Sequence, residues 1–110
     1  MIEKTISEIE AKISGTDAVS TERKQELLKL LGTLKTEVAK LSKTNSEQAD
    51  SIAGFTQLSA HEATRGERNE ELVRLSTKGM LSSIEGFEST HEELVRIVNS
   101  IAYILSNMGL

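Results

Sequence analysis

The chain has 110 residues, enough for one small domain, with no Pro, Trp or Cys and with Phe55, Phe87 and Tyr103 as its aromatics. That composition excludes a disulfide framework, a zinc ribbon and a redox thiol, and argues against a β-sandwich or barrel, which draws on aromatic and β-branched runs. A net charge of −4 argues against nucleic-acid binding, which calls for a basic patch.

The first ten residues alternate charge with Ile and lack the apolar core of a secretory signal, so a cytoplasmic protein is expected. Ile2, Ile6, Ile9 and Ile13 form one stripe, predicting a short amphipathic helix over residues 1–14 that must dock on something, because so short a helix is marginal alone. Gly15-Thr16-Asp17 then ends it. Ser20 or Thr21 is a good N-cap for a first long arm over residues 20–64. Leu27, Leu31, Leu34, Val38 and Leu41 step along it by four and three, and Leu28 and Leu30 widen the stripe. The register passes through Asn45 and Gln48 before Ile52, Phe55 and Ser59, and Thr44-Asn45-Ser46-Glu47 has capping-box spacing, so a bend or restart is expected at 44–46.

Thr64-Arg65-Gly66-Glu67 is the expected turn, with Gly66 free to take the left-handed conformation. A second arm follows over residues 67–108. Val73, Thr77, Met80, Ile84, Phe87, His91, Leu94, Val98, Ile101, Leu105 and Met108 hold a 4-3 register for 36 residues, and nine of the eleven are apolar. Such a step keeps one seam against a neighbouring helix. Thr90-His91-Glu92-Glu93 also has capping-box spacing, so this arm too has a candidate break, at 88–91.

The charge divides along the chain. Residues 1–43 carry eight basic against seven acidic side chains, and residues 44–110 carry five against ten. Reflection about Gly66, so that paired numbers sum to about 133, puts Gly54 near Gly79, the two candidate breaks level, and Lys40 and Lys43 near Glu88, Glu92 and Glu93. These features predict an all-α fold. The leading expectation is an antiparallel helical hairpin of two long arms, with the short N-terminal helix packed at the open end. The alternative is a compact four- to five-helix bundle in which both arms fold at their breaks.

No constellation carries chemistry. His61-Glu62 and His91-Glu92 each begin like a zinc-binding helix, but Arg65 and Val95 stand where the second His must be. Glu88-Ser89-Thr90-His91 has the Glu-x-x-His spacing of di-iron bundles in one copy, where two copies and two further Glu are needed. A phosphate loop, a Gly-x-Ser-x-Gly elbow and a Cys nucleophile are missing, so no catalytic residue, metal or cofactor is expected. His91 sits on the seam between Phe87 and Leu94. It reads either as a hydrogen-bonded residue at a helix start or as part of a polar layer with Asn45 and Gln48 that sets pairing register, with pH sensitivity as a variant.

The stripe over 94–105 is wider than one partner helix needs, but Arg96, Asn99 and Ser100 interrupt it too often for a bilayer span. Val95, Ile97, Tyr103 and Ile104 are the candidate self-association residues.

Phe87-Glu88-Ser89-Thr90-His91, followed by Leu94 and Ile101 and ending Leu105-Ser106-Asn107-Met108-Gly109-Leu110, resembles the end of a family of short bacterial helical proteins of unknown function. That family shows Phe-Glu-x-x-His-Pro-x-Leu and closes near Met-Gly-Ile. The resemblance covers the last 25 residues or so; Glu92 stands where the family has Pro, and the middle is longer. It implies a small cytoplasmic bacterial helical protein and no activity. The functional expectation is therefore a non-enzymatic protein–protein interaction or scaffold module, binding no nucleic acid or membrane and self-associating as a homodimer. The alternative is an adaptor that binds another protein through the distal segment 46–87, whose seam is thin. A metal-dependent enzyme ranks below both.

Overall fold

Among the described residues five stretches satisfy their backbone as helices: α1 (Ile2–Gly15), α2 (Thr21–Ser42), α3 (Ser46–Thr64), α4 (Glu70–Ser83) and α5 (Glu92–Asn107). The computed structural model describes residues 2–108. Met1 lies outside the described residues, as do Gly109 and Leu110 at the end of the tail motif. No strand occurs among the described residues.

Three helix starts are held by side chains that accept from orphan backbone N–H groups. Ser20 accepts from Arg23 N at 3.3 Å, Asn45 from Gln48 N at 3.1 Å, and Asn69 from Leu72 N at 3.1 Å. Ser20 is an expected cap. Asn45, one residue beyond the Thr44 of the expected box, caps α3. The expected box at Thr90–Glu93 does not form: His91 is the N-cap of α5 without a side-chain cap bond, and Glu93 pairs with Arg96 instead.

The connections of residues 43–45, 65–69 and 84–91 are short, and each turns the chain back on itself. Helices α2, α3, α4 and α5 therefore run up, down, up and down, and α5 closes the ring against α2. Helix α1 lies over α2 and α3, with its four Ile buried. Ile9 and Ile13 of α1, Leu27 and Leu31 of α2, Thr56 and Ala60 of α3, and Ile101 and Leu105 of α5 meet at one junction that leaves no space for a water molecule. Outside the core, Lys35 Nζ reaches Glu10 Oε1 at 2.8 Å and ties α2 to α1.

The two long arms are thus replaced by the compact bundle. Each arm of about 40 helical residues would reach about 60 Å, whereas the Cα envelope measures 37 × 24 × 21 Å. Both arms fold at their breaks, so the segments 20–64 and 67–108 are each two helices. The unbroken 4-3 register is no proof of a continuous helix. Ile84 N donates to Leu81 O, Phe87 N to Ile84 O and His91 N to Phe87 O, so the α4–α5 connection keeps helix-like turns. Inward positions recur at the same spacing through it. Val73, Thr77, Met80 and Ile84 are buried on one side of the reversal, and Leu94, Val98, Ile101, Leu105 and Met108 on the other.

Two further expectations change. The left-handed residue is Gly86 (φ +93°), in the α4–α5 connection, and not Gly66. The expected pairing of Lys40 with the acidic arm gives way to Lys40–Glu37 at 3.3 Å within α2. Reflection about Gly66 survives locally, because Gln48 Nε2 donates to Ser83 O across α3 and α4.

Candidate interaction surface

The residues expected to form a polar layer are not brought together as one. Asn45 caps α3, Gln48 crosses to the Ser83 carbonyl at the end of α4, and His91 stays at the start of α5. His91 Nδ1 lies 3.0 Å from Thr90 Oγ1, and its ring meets Phe87 edge-on with centroids 5.4 Å apart. His61 is exposed on α3. Among the described residues no group of three or more His, Asp or Glu is placed to hold a metal ion.

The candidate self-association residues also separate. Ile97 is 1 % exposed and Ile104 is buried, so both serve the core of one chain, and Val95 packs partly against it. The wide stripe of α5 is consumed by α2, α3 and α4 together. Only Tyr103, 66 % exposed, stands out from α5. It overlooks a shallow groove between α2 and α5, lined also by Arg23, Arg96 and Asn99, and another toward Leu81 of α4.

The larger apolar surface lies elsewhere. The inward faces of α3 and α4 are rich in small residues: Ala49, Ala53, Ser59, Ala60 and Ala63 on α3, and Ser76, Thr77 and Ser83 on α4 are buried, alongside Ile52, Val73 and Met80. Buried hydroxyls bond back to their own helix, Thr56 to Ile52 O at 2.7 Å and Thr77 to Val73 O at 2.9 Å. Ser59 Oγ is buried without a partner. Beside these inward faces, Phe55 and Leu58 of α3 and Leu72 and Leu75 of α4 stay exposed. Phe55 lies over Gly79, where a Cβ would collide with its ring. The close approach expected of two glycines is therefore a ring filling the space above one, and Gly54 meets nothing.

Phe55 and Leu58 on α3, and Leu72 and Leu75 on α4, share the outer side of this seam. The steps 55–58 and 72–75–79 each stay on one helix stripe, and the Phe55–Gly79 contact sets the two stripes side by side. That register puts Leu58 level with Leu75. Leu58 is 46 % and Leu75 49 % exposed, and Phe55 and Leu72 are exposed beside them. A contiguous exposed apolar stripe marks a contact surface more often than scattered single residues do. The leucines stand off the 4-3 seam of the sequence, whereas Phe55 lies on it and is nevertheless 38 % exposed.

Charges border the stripe. Arg74 forks onto Glu71, with Nε to Oε2 at 3.1 Å and a second bond from Nη2 to Oε1. The hydrogen bond from Arg74, then its charge, hold the Glu71 carboxyl below its ordinary range, and Arg74 is raised in turn. Lys78, Glu47 and Asp50 have no ion-pair partner among the described residues. At the far end of the hairpin Glu62, buried, pairs with Arg65 at 2.9 Å. Arg68, which the sequence does not single out, donates to Ala63 O at 3.2 Å and Ser106 O at 3.1 Å. It thereby fastens the α3–α4 turn to the end of α5.

These features define an all-helical bundle with an apolar strip on one helical hairpin. No helix among the described residues is long and apolar enough to cross a membrane. No protein-family model, curated protein or solved structure matches the chain.

Proposed function

We propose that the chain is a non-enzymatic helical interaction module whose working surface is the α3–α4 hairpin. One observation carries this reading. Of the six large apolar side chains exposed among the described residues, four (Phe55, Leu58, Leu72 and Leu75) belong to this strip, while Leu81 faces the groove beside Tyr103. The four fall within 46–87, the segment singled out for an adaptor role. The alternative surface on α5 is disfavoured because Ile97 and Ile104 are spent inside the chain.

The arrangement has a physical logic. Phe55, Leu58, Leu72 and Leu75 are left outside the inward faces of the hairpin, so part of their transfer free energy, about 25 cal/mol per Å² of apolar area, is available to a partner. A photo-crosslinking side chain at Leu75 should capture a partner chain in cells, whereas the same group at exposed Lys29 on α2 should not. Equal labelling at both positions, or none at either, would remove the assignment.

A further inference from the structure

We propose that the occupant of the α3–α4 strip is a second copy of this chain, related by a two-fold axis that crosses both helices at the level of Leu58 and Leu75. This rests on the reading of the strip as an interaction surface and adds what covers it. In such an isologous contact α3 lies antiparallel over the partner's α3, and α4 over the partner's α4.

The argument is charge complementarity about one point. On α4 the exposed acids Glu70 and Glu71 precede the strip and Lys78 follows it, with Leu75 midway between Glu71 and Lys78. On α3 Asp50 precedes the strip and exposed Arg65 follows it, with Leu58 midway. Leu58 and Leu75 are themselves level across the seam, and they are the two most exposed side chains of the strip. One axis through that level therefore brings Leu onto Leu twice, Glu71 opposite Lys78 twice, and Asp50 opposite Arg65 twice. Lys78 and Asp50 have no ion-pair partner among the described residues, and the contact supplies one to each. A strongly acidic or basic partner is not called for, because α4 presents two acids and two bases, Arg74 and Lys78. An apolar centre with charged residues at its rim is the usual anatomy of such an interface.

The chain has no cysteine, so single-cysteine variants report geometry without background. The purified full chain should sediment as a concentration-dependent dimer, and Leu75→Cys should oxidise to a reducible covalent dimer, since a residue on the axis meets its own copy within disulfide reach. Lys78→Glu places acid against Glu71 at two symmetric points and should weaken association about tenfold. The swap Glu71→Lys with Lys78→Glu should restore it, which a merely structural effect of either residue would not produce. Circular dichroism of each variant should be unchanged, as all three positions are exposed. A monomer at every concentration overturns the proposal. So does a covalent dimer formed only between Leu58→Cys and Leu75→Cys chains, which would set the axis along the helices. If the chain is monomeric while Leu75 still crosslinks to a different protein, the second copy is wrong and the α3–α4 surface stands; if neither occurs, both fall.

Discussion

Ile101 shows what a single side chain carries in this bundle. It is 1 % exposed and sits where α1, α2, α3 and α5 converge without space for water. Truncation there removes transfer free energy and leaves a cavity that four helices cannot collapse together to fill. Ile101→Ala should cost about 2–5 kcal/mol, a large part of the about 5–15 kcal/mol typical of a domain. The midpoint and slope of chemical denaturation measure it, and an unchanged midpoint would contradict the placement of Ile101 at the junction. His91 gives the opposite lesson. Its place on the 4-3 seam made it a candidate for a buried polar layer, but the seam there is a chain reversal, and the ring ends half-buried beside Phe87 and Thr90. Spacing reports which way a residue points and not what stands opposite.

Among the elements, the α3–α4 hairpin differs from the rest in how it is held. Helices α1, α2 and α5 are joined by Ile and Leu, whereas the hairpin buries mostly Ala, Ser and Thr beside Ile52, Val73 and Met80, with Phe55 folded over Gly79. Small residues let the two backbones approach but contribute little apolar area, so polar ties at the ends gain weight. Arg68 is the principal one, bonded to carbonyls at the ends of α3 and α5 with its side chain only 17 % exposed. A guanidinium also opposes the negative end of the α5 dipole. Arg68→Ala leaves those carbonyls without the donor and should destabilise the fold by about 1–3 kcal/mol. Arg68→Lys should recover part of this, because an ammonium keeps the charge but not the planar fork. Thermal denaturation of the two variants tests the order; Arg68→Ala melting with the parent chain would show the clamp to be inert.

At the scale of the whole molecule, the reversals at 43–45 and 84–91, added to the one at 65–69, turn a long hairpin into a bundle. They bring the start of α2 to the same end of the bundle as the α3–α4 turn. Spin labels at exposed Glu22 and Glu67, in labelled chains diluted with unlabelled ones, should therefore lie well within the 37 Å length of the molecule. A continuous hairpin would hold them about 60 Å apart. A measured distance near that value would reject the bundle. It would also move the α3–α4 strip to the end of a long arm and change the geometry of any contact made there.

Helical class, the stripe of α1, the Ser20 cap and the ends of α3 are local properties. They follow from 3.6-residue periodicity, the absence of Pro and side chains that cap nearby N–H groups, and they are legible in the chain itself. The breaks at 44–46 and 88–91 are legible too, as turn and cap signals. Their consequence is not, because a helix that kinks and a helix that reverses present the same inward residues at the same spacing. Packing decided between them: reversal buries α5 against three helices at once and covers the stripe whose width alone suggested self-association. The same packing left Leu58, Leu72 and Leu75 outside, since they stand off the helix faces that bury Ile52, Val73 and Met80. Which apolar side chains face solvent depends on how many neighbours each helix acquires, and that number exists only once the chain has folded.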